Sequence, residues 1–563
     1  MFRRFFLFLA LSITAIAGAE QSIDLGGTGW TFRTTLDFAA TPVSVPHCWM
    51  LDAGNERYIG HGIYEREFEA PPTRKGQVVR LRFDAVYDVA EVWLNGKRVG
   101  AHEGGYTAFE FDVTDLLRAG KNQLIVDVDN TPTLSSIPAL ATGVPSKGPQ
   151  RTTIVGWVPY GGIVRPVHLV LSEAVYFRSV KVDAKPDFRT GVAAMTVRAV
   201  LHNGGETAAS VSVRGKIAGL NVVIPQTRVP AHRDAAVTWT GKLPGAHLWS
   251  LRDPYLYGAQ LDIAGDRFSA RIGVRTVSVN GSELLLNEKP IHLYGANRVG
   301  EDPKEGPRES DAVIERDMSD MLADNMRMMR IAHYPQTQAL LEFADAHGML
   351  IIPEAGNWNF SAWQMADPII RAKFKKQHQE MMEADWNHPS VIAWSMGNEY
   401  ESYKQEGIAW TRDMRAFTLG LDPTRLITFA SRHTSDPLVR TGKDEASQYS
   451  DFVSVNMYGD YASRLDHVHE LWPTKPVFVT EFGKMGESGL HDPERTADIT
   501  TAVEAMKARP WVIGGSLWTW NDYKSLIKGT PADGIRRWGV VNEKREHRDS
   551  WEAVRKLFAT DLP

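Results

Sequence analysis

The sequence contains little cysteine, little net charge and few long apolar runs. Cys48 is the single cysteine among 563 residues, so no intramolecular disulfide can form. The formal net charge is −5, which gives no support for nucleic acid or an anionic membrane surface as a partner. Beyond the N-terminal residues, no apolar stretch reaches the ~20 residues that a membrane-spanning helix needs. These absences favour a protein that acts on a neutral substrate.

The N-terminal residues have the pattern of an export signal. A short basic start precedes an apolar stretch from Phe5, and Ala17-Gly-Ala19 forms a small-residue cleavage site before Glu20. A membrane anchor is the weaker alternative, because the apolar stretch is shorter than the ~20 residues of a spanning helix. We expect residues 1–19 to be a signal peptide and the mature protein to be secreted or periplasmic.

The next two segments have the alternation of β-strands. In residues 20–172, runs such as Gln77-Val-Val-Arg-Leu-Arg-Phe83 alternate with period two and are separated by turns such as Asn95-Gly96, which predicts a β-sandwich. Residues 173–280 contain further strand patterns, such as Met195-Thr-Val-Arg-Ala-Val-Leu201. Their length of ~100 residues suits a smaller immunoglobulin-like β-sandwich.

Residues 281–563 change to short apolar strands that alternate with helical patterns over 310–324, 337–347 and 369–386. Eight predicted strands begin near Pro290, Met328, Leu350, Val391, Leu426, Phe452, Pro476 and Ile513. A (β/α)8 barrel of ~250 residues has this repeat. We therefore predict a multi-domain fold of two β-sandwiches followed by a C-terminal TIM barrel.

Polar and aromatic residues follow nearly every predicted barrel strand, at the ends where a barrel places its working groups. The candidates for substrate contact at these ends are Asn297, Arg330, His333, Glu354, Asn398, Tyr458 and Trp518. Hydroxyl partners, two carboxyls and a flat aromatic face together are typical of a sugar site.

Glu399 and Glu481 are the candidate catalytic pair. Glycosidases that retain configuration use two carboxyls ~5–5.5 Å apart, and inverting ones need ~6.5–9.5 Å, so that water fits between them. The sequence does not choose between these distances. A solvated acid at a strand end is the alternative interpretation for either residue alone.

Several longer motifs resemble glycoside hydrolase family two, which includes β-galactosidases, β-glucuronidases and β-mannosidases. The barrel motifs are Arg330-Ile-Ala-His-Tyr-Pro335, His388-Pro-Ser-Val-Ile-Ala-Trp-Ser-Met-Gly-Asn-Glu399 and Lys475-Pro-Val-Phe-Val-Thr-Glu-Phe-Gly483. The N-terminal segment has Val92-Trp-Leu-Asn-Gly96 and Tyr160-Gly-Gly-Ile-Val-Arg165, which are similar to the jelly-roll, sugar-binding sandwich of such enzymes.

The resemblance implies a retaining exo-β-glycosidase with Glu399 as general acid/base and Glu481 as nucleophile. It further implies that Asn398 binds the 2-hydroxyl of the sugar, that Arg330 lies near the nucleophile, and that His333 and Trp518 line the pocket. A structural imidazole and a core tryptophan are the alternatives for the last two residues.

Two departures from the family pattern affect metal and substrate. Where metal-dependent β-galactosidases carry magnesium ligands, Trp358 and Phe360 stand here, and neither can bind a hard cation. We expect no metal and no cofactor. Glucuronidases read the substrate carboxylate with an Asn-x-Lys pair, which Arg536, Arg537 and Trp538 replace. An arginine can still pair with a carboxylate, so uronides remain an alternative.

We expect a carbohydrate partner, no nucleic acid and no membrane, and the oligomeric state stays open. β-Galactoside-type substrates are favoured. The alternatives are a β-glucuronidase or other β-glycosidase on plant or host glycans, an endo-acting enzyme, and a non-catalytic carbohydrate-binding protein. Fold analogy alone does not fix the sugar.

Overall fold

The structure, a computed structural model, describes residues 20–37, 39–140, 156–437, 439–527 and 529–560. The predicted signal peptide, residues 1–19, lies outside the described residues. Two β-sandwiches precede a barrel, so the predicted multi-domain architecture is confirmed. The domain limits after residues 172 and 280 stay predictions. Among the described helices, none is long and apolar enough to cross a membrane.

The N-terminal unit packs two antiparallel sheets face to face. Its strands are β1 Gln21–Asp24, β2 Gly27–Thr34, β3 Thr41–Val45, β4 His61–Glu69, β5 Gln77–Phe83, β6 Val89–Leu94, β7 Lys97–Glu103, β8 Phe109–Asp112, β9 Lys121–Asp129 and β10 Val167–Glu173. One sheet has the order β1-β10-β5-β8 and the other β3-β2-β4-β9-β6-β7. In β9, Leu124, Val126 and Val128 are buried and alternate with more exposed residues, because one face of the strand packs on the core.

The second unit is a smaller sandwich with its own core. Its strands are β11 Val175–Asp187, β12 Val192–Asn203, β13 Ala209–Ile217, β14 Leu220–Val229, β15 Arg233–Pro244, β16 Tyr257–Ile263 and β17 Asp266–Ile272. They form sheets of order β11-β12-β15 and β14-β13-β16-β17. Lys181 of β11 pairs with Asp422 of the third unit at 2.7 Å, and both side chains are buried, so the two units share a polar interface.

A three-stranded sheet of β18 Val277–Asn280, β19 Glu283–Leu286 and β20 Lys289–Pro290 leads into the barrel. The barrel strands are β21 Leu293–Ala296, β22 Met328–Arg330, β23 Leu350–Ile352, β24 Ala393–Asn398, β25 Leu426–Ser431, β26 Val453–Asn456, β27 Val477–Glu481 and β28 Val512–Leu517. Each begins within three residues of its predicted start. A short pair, β29 Tyr523–Lys524 and β30 Ile535–Arg536, follows.

The eight parallel strands close into a barrel. Their order is β23-β22-β21-β28-β27-β26-β25-β24, and the parallel bridges Ile351 to Val391 and Glu354 to Ser395 join the first and last strands. All eight strands are almost fully buried, as expected for parallel strands covered on both faces. The C-terminal ends of these strands consequently meet at one mouth.

Helices surround the barrel. They are α1 Asp311–Ala323, α2 Gln338–His347, α3 Ala362–Ala366, α4 Pro368–Asp385, α5 Gln405–Leu421, α6 Tyr461–Leu471, α7 Pro493–Lys507 and α8 Asp549–Leu557. Among the described residues, β25 alone of the barrel strands is followed by 3-10 turns, Gly442–Asp444 and Ala446–Tyr449, in place of an α-helix. The predicted helices over 310–324, 337–347 and 369–386 correspond to α1, α2 and α4.

Candidate active site

A cavity of about 300 Å³ opens at the C-terminal ends of the barrel strands. Its lining residues are Gly156, Trp157, Val299, Ala332, His333, Tyr334, Trp358, Asn398, Glu399, Tyr458, Glu481, Trp518, Tyr523, Ile527, Arg536 and Trp538. Both candidate catalytic glutamates therefore face the same space. A larger cavity, of about 760 Å³, lies between the second sandwich and the barrel, away from these glutamates.

Glu481 is held at the end of β27 by two donors. Arg330 Nη1 donates to Glu481 Oε1 at 2.7 Å, and the Tyr458 hydroxyl donates to Oε2, also at 2.7 Å. The side chain of Glu481 is 6% exposed, so few water molecules compete for these contacts. Charge-assisted hydrogen bonds to both oxygens fix the orientation of the carboxylate at the cavity wall.

Glu399 follows β24 in an uncommon backbone conformation. Its φ is 49°, in the left-handed region that non-glycine residues seldom occupy, and its backbone N–H donates to the carbonyl of Ala430 at 2.8 Å. Asn456 Nδ2 donates to Glu399 Oε1 at 3.0 Å, while Oε2 lies 3.6 Å from Arg432 Nη1. This turn therefore gives the Glu399 carboxyl one partner on β26 and another beyond the end of β25.

Arg330 connects the nucleophile candidate to a second, fully buried carboxylate. Its Nη2 donates to both oxygens of Glu354 at 2.9 Å, and the Ser395 hydroxyl donates to Glu354 Oε2 at 2.6 Å. The candidates Arg330 and Glu354 lie beneath the cavity and do not line it. They hold the residues that line it.

The carboxyls of Glu481 and Glu354 titrate differently, although both contact Arg330. Burial raises the pKa of Glu481, Arg330 and Tyr458 lower it and the charge of Glu399 raises it, and the net pKa lies above its ordinary value of 4.5. Burial also raises the pKa of Glu354, but the charge of Arg330 and several donated hydrogen bonds outweigh it, so this pKa is lowered. Glu354 therefore supplies the ionised counter-charge, and Glu481 keeps the more basic carboxylate.

Asn398 is oriented by two donors on neighbouring strands. Arg330 Nη2 and Asn456 Nδ2 donate to its Oδ1 at 2.9 and 3.0 Å. Because the side-chain oxygen is engaged in this way, the NH2 group of Asn398 is the part available to a hydroxyl in the cavity. The candidate Asn297 instead donates to the Thr480 carbonyl at 2.8 Å and ties β21 to β27. It is fully buried and does not line the cavity.

His333 and Trp518 form adjoining parts of the cavity wall. Their rings stack with centroids 5.3 Å apart, and His333 Nδ1 lies 3.0 Å from Glu354 Oε1. An ionised carboxylate can only accept, so Nδ1 carries the proton and donates to Glu354. Trp518 in turn donates from Nε1 to the hydroxyl of Tyr523 at 3.2 Å. Both candidates lie where the sequence placed them, at the mouth of the barrel.

Residues 38–137 match the sugar binding domain, and residues 277–529 the TIM barrel domain, of glycosyl hydrolases family 2. Together these matches cover more than half of the chain. The chain belongs to glycoside hydrolase family 2. The prediction of a glycoside hydrolase is thereby confirmed, and this family membership makes the protein a β-glycosidase with a carbohydrate substrate.

Relatives named as uronidases are similar to this family 2 chain. The β-glucuronidase of Paenibacillus borealis is 24% identical and covers 92% of this chain and 91% of its own length. Human β-glucuronidase is 24% identical over 89% of this chain and 82% of its own. The crystal structure of a β-galacturonidase from Eisenbergiella tayi bound to galacturonate has a TM-score of 0.86 and 23% identity, and it covers 96% of this chain and 97% of that one. The structural likeness shows that the fold is shared.

An aromatic wall contributed partly by the N-terminal sandwich is absent from the sequence prediction. Trp157 is buried, donates from Nε1 to the Tyr106 hydroxyl at 3.1 Å, and lies with its ring centroid 5.7 Å from that of His333. Tyr106 stacks on Tyr334 with centroids 4.1 Å apart. In the sequence, the one feature that could have pointed to Trp157 as a site residue is its position three residues before the family motif that begins at Tyr160. This family 2 site therefore spans two domains.

Among the described residues that line the cavity, Arg536 is the only lysine or arginine. Its guanidinium carbon lies 5.8 Å from the centroid of Trp538, and no described carboxylate lies within 4.0 Å of its nitrogens. The neighbouring Arg537 instead pairs with Asp533 outside the cavity. A buried or half-buried cation without an acidic partner favours an anionic ligand.

Trp358 and Phe360, which the sequence resemblance places where metal-dependent members carry ligands, are buried side chains. Trp358 lines the cavity with its ring 6.1 Å from that of Trp157. Within the described ranges, no group of three or more His, Cys, Asp or Glu side chains is arranged to hold a metal ion. An indole and a phenyl ring offer no oxygen to a hard cation.

Proposed function

We propose that this family 2 enzyme is a retaining exo-β-glycosidase that prefers β-uronides. Glu481 attacks the anomeric carbon while Glu399 gives its proton to the leaving oxygen, so that a glycosyl ester forms and the aglycone departs as an alcohol. Glu399 then takes a proton from water, whose oxygen attacks the anomeric carbon and releases Glu481 as a carboxylate. Each step balances with water as the only co-reactant.

The observation that carries the proposal is that both glutamates face one cavity in different environments. Glu481 is clamped by Arg330 and Tyr458 at 2.7 Å each, as suits a nucleophile that must be ionised and aimed. Glu399 is less buried and touches Asn456 and Arg432, as suits a group that must exchange protons with a leaving oxygen and with water.

The size of the cavity supports exo action. Its volume of about 300 Å³ is at the lower end of the ~300–1,000 Å³ usual for ligand sites. Trp157, Trp358 and Trp518 line its wall, and we infer from their bulk that the cavity accommodates a single sugar ring. A polymer-binding groove would need room on both sides of the scissile bond.

Arg536 supports uronides over the galactosides that the sequence favoured. Its guanidinium lines the cavity without an acidic partner among the described residues, so a substrate carboxylate would complete a charge-assisted pair. The names of the relatives, β-glucuronidases and a β-galacturonidase, also support a uronide substrate. A neutral 6-hydroxyl would leave this cation without a counter-charge.

The test is a panel of 4-nitrophenyl β-glucuronide, β-galacturonide, β-galactoside and β-mannoside. We expect a uronide to have the highest kcat/KM, and Arg536→Gln to lower it about 10–100-fold, the value of one charge-assisted hydrogen bond of ~1.5–3 kcal/mol. Arg537→Gln is the matched control, because its guanidinium pairs with Asp533 outside the cavity. A galactoside as best substrate, unaffected by Arg536→Gln, would overturn the uronide preference.

Retention has a separate test. Proton NMR during the first minutes of hydrolysis shows which anomer of the sugar is released before it mutarotates. We expect the β-anomer from a β-glycoside, because two displacements restore the configuration. Release of the α-anomer would contradict a covalent intermediate on Glu481, and no turnover of any glycoside would contradict the enzyme assignment.

A further inference from the structure

Arg432 lies directly after β25 and contacts Glu399 from outside the sugar cavity. Its Nη1 is 3.6 Å from Glu399 Oε2, and among the described residues no other carboxylate is within 4.0 Å of its guanidinium. It is not part of the cavity lining, and 36% of its side chain is exposed. One long, partly solvated contact leaves most of the five donors of this arginine available.

The two oxygens of Glu399 have different neighbours. Oε1 accepts from Asn456 Nδ2 at 3.0 Å, and the orientation of that amide is fixed because Thr480 Oγ1 donates to Asn456 Oδ1 at 2.7 Å. An oxygen that accepts from a fixed NH2 group is the carbonyl oxygen of a protonated carboxyl. Oε2, the oxygen nearest Arg432, is therefore the one that faces the leaving group when Glu399 acts as the acid.

This position puts Arg432 on the leaving-group side of the scissile bond. The sugar that is cleaved occupies the cavity, and the acid catalyst stands beside the glycosidic oxygen, so the aglycone extends past Oε2 of Glu399. Arg432 faces the same oxygen from outside the cavity. An anion on the leaving group would therefore have a partly exposed guanidinium within reach.

An exposed aromatic ring contacts the chain neighbour of Arg432. Tyr403 is 40% exposed, and its ring packs at 4.6 Å against the ring of His433, the residue next to Arg432. Lys404 Nζ lies 5.0 Å from the centroid of Tyr403 and adds a second positive charge. An exposed aromatic ring with a cation beside it is suited to a planar ligand with negative charge.

We propose that Arg432 and Tyr403 form a leaving-group subsite that selects an aglycone bearing a carboxylate or sulfate. The anion pairs with the guanidinium of Arg432, and the ring or sugar that carries it packs on Tyr403. The inference rests on the proposed acid role of Glu399, and it concerns the aglycone, whereas Arg536 concerns the sugar that is cleaved.

The experiment compares two leaving groups with the same nitrophenol ring, one charged and one neutral, on whichever sugar the panel shows to be cleaved. The first is 3-carboxy-4-nitrophenol and the second is its neutral methyl ester. We expect wild type to prefer the acidic aglycone about tenfold in kcat/KM, the value of ~1.4 kcal/mol. Arg432→Gln should reduce this ratio to about one, and Arg432→Lys should restore part of it. A second comparison uses disaccharides whose leaving sugar either carries a carboxylate or has it reduced to a hydroxyl. A preference for the acidic disaccharide would identify a sugar acid as the aglycone, and a preference limited to the nitrophenols would identify a phenolic acid.

The exposed Arg412 of α5, which pairs with Asp413, provides the control. Arg412→Gln should keep the wild-type ratio, and thermal melting of each variant checks that it is folded. An equal ratio in wild type and Arg432→Gln would overturn the subsite, whatever the preferred sugar. Calorimetric titration with free 3-carboxy-4-nitrophenol and its ester reads the same preference without turnover. Equal binding of the acid and the ester by wild type would contradict the subsite. Because this titration needs no turnover, it tests the subsite independently of the proposed reaction.

Discussion

Arg330 Nη1 donates to Glu481 Oε1 at 2.7 Å, inside a barrel where neither side chain is more than a few per cent exposed. The other terminal nitrogen of the same guanidinium donates to Glu354, at 2.9 Å. One buried cation thus joins the candidate nucleophile to a carboxylate that never reaches the cavity. Because a planar guanidinium fixes the directions of its donors, the position of Glu481 depends on that of Glu354.

Arg330→Lys tests this relationship. A lysine keeps the charge but cannot reach Glu481, Glu354 and Asn398 together, so the nucleophile loses its fixed orientation. We expect kcat to fall by about 100-fold or more, in line with the cost of ~3–5 kcal/mol for breaking a buried pair. Steady-state kinetics measure this loss, and Arg412→Lys on the surface should change kcat less than twofold. A wild-type kcat in Arg330→Lys would contradict the role of the Arg330 guanidinium in orienting Glu481.

The raised pKa of Glu481 predicts the acidic limb of the pH profile. The nucleophile must be ionised, so activity falls as pH decreases through this pKa, which lies above the ordinary 4.5 because of burial. We expect the acidic midpoint of kcat/KM above pH 4.5. Tyr458→Phe removes a donor that lowers the pKa, and it should therefore move the midpoint to still higher pH.

Tyr523→Phe is the matched control for this pH experiment. Tyr523 also lines the cavity, but its hydroxyl accepts from Trp518 and makes no hydrogen bond to Glu481. The acidic midpoint should therefore stay in place in this variant. A midpoint below pH 4.5 in wild type, or a downward shift in Tyr458→Phe, would contradict the argument.

The two glutamates should be separable by leaving-group chemistry. Glu399→Ala removes the proton donor, so glycosides of poor leaving groups should lose about 10²–10⁴-fold in rate, the usual contribution of general acid catalysis. A 2,4-dinitrophenyl glycoside needs little protonation and should be affected far less in its first step. Glu481→Gly should abolish turnover of both substrates while substrate binding, followed calorimetrically, persists. Equal losses on both substrates in Glu399→Ala would contradict its acid role.

The barrel was predictable because its strands are short apolar runs, nearly all of them followed by polar or aromatic residues. That rule located Glu399 and Glu481 and placed both at one mouth. It could not tell which polar ends reach the cavity. Asn297 and Glu354 also stand at strand ends, but their side chains bond to neighbouring strands and to Arg330, which keeps them below the surface of the cavity.

Contributions from outside the barrel repeat were harder to predict. Trp157 belongs to the N-terminal sandwich and reaches the cavity only because the two domains pack together, and no sequence period reports that contact. Arg536 lies on β30, outside the barrel repeat, and the sequence identifies it as a departure from the family pattern without showing that it reaches the cavity wall. The residue types indicated which chemistry these side chains could perform, whereas the packing of the domains determines which of them reach the cavity.

Asp324, at the C-terminal end of α1, is a buried carboxyl with neither oxygen hydrogen-bonded among the described residues. Burial raises its pKa to about 9, and the nearby charges of Asp320 and Glu552 raise it as well. The unfolded chain ionises above pH 3.8 whereas the folded one stays protonated to about pH 9, so rising pH destabilises the native state across this window.

Asp324→Asn removes this ionisation, and it should therefore raise the free energy of unfolding by on the order of 2 kcal/mol at pH 7, since one pKa unit corresponds to ~1.4 kcal/mol and the new amide also lacks partners. The gain should grow from pH 4 to about pH 9, because only wild type loses stability there. Urea unfolding at several pH values measures it. Glu315→Gln, on the exposed face of the same helix, is the control and should show no such trend. A gain that is constant with pH would mean that Asp324 is ionised in the folded protein.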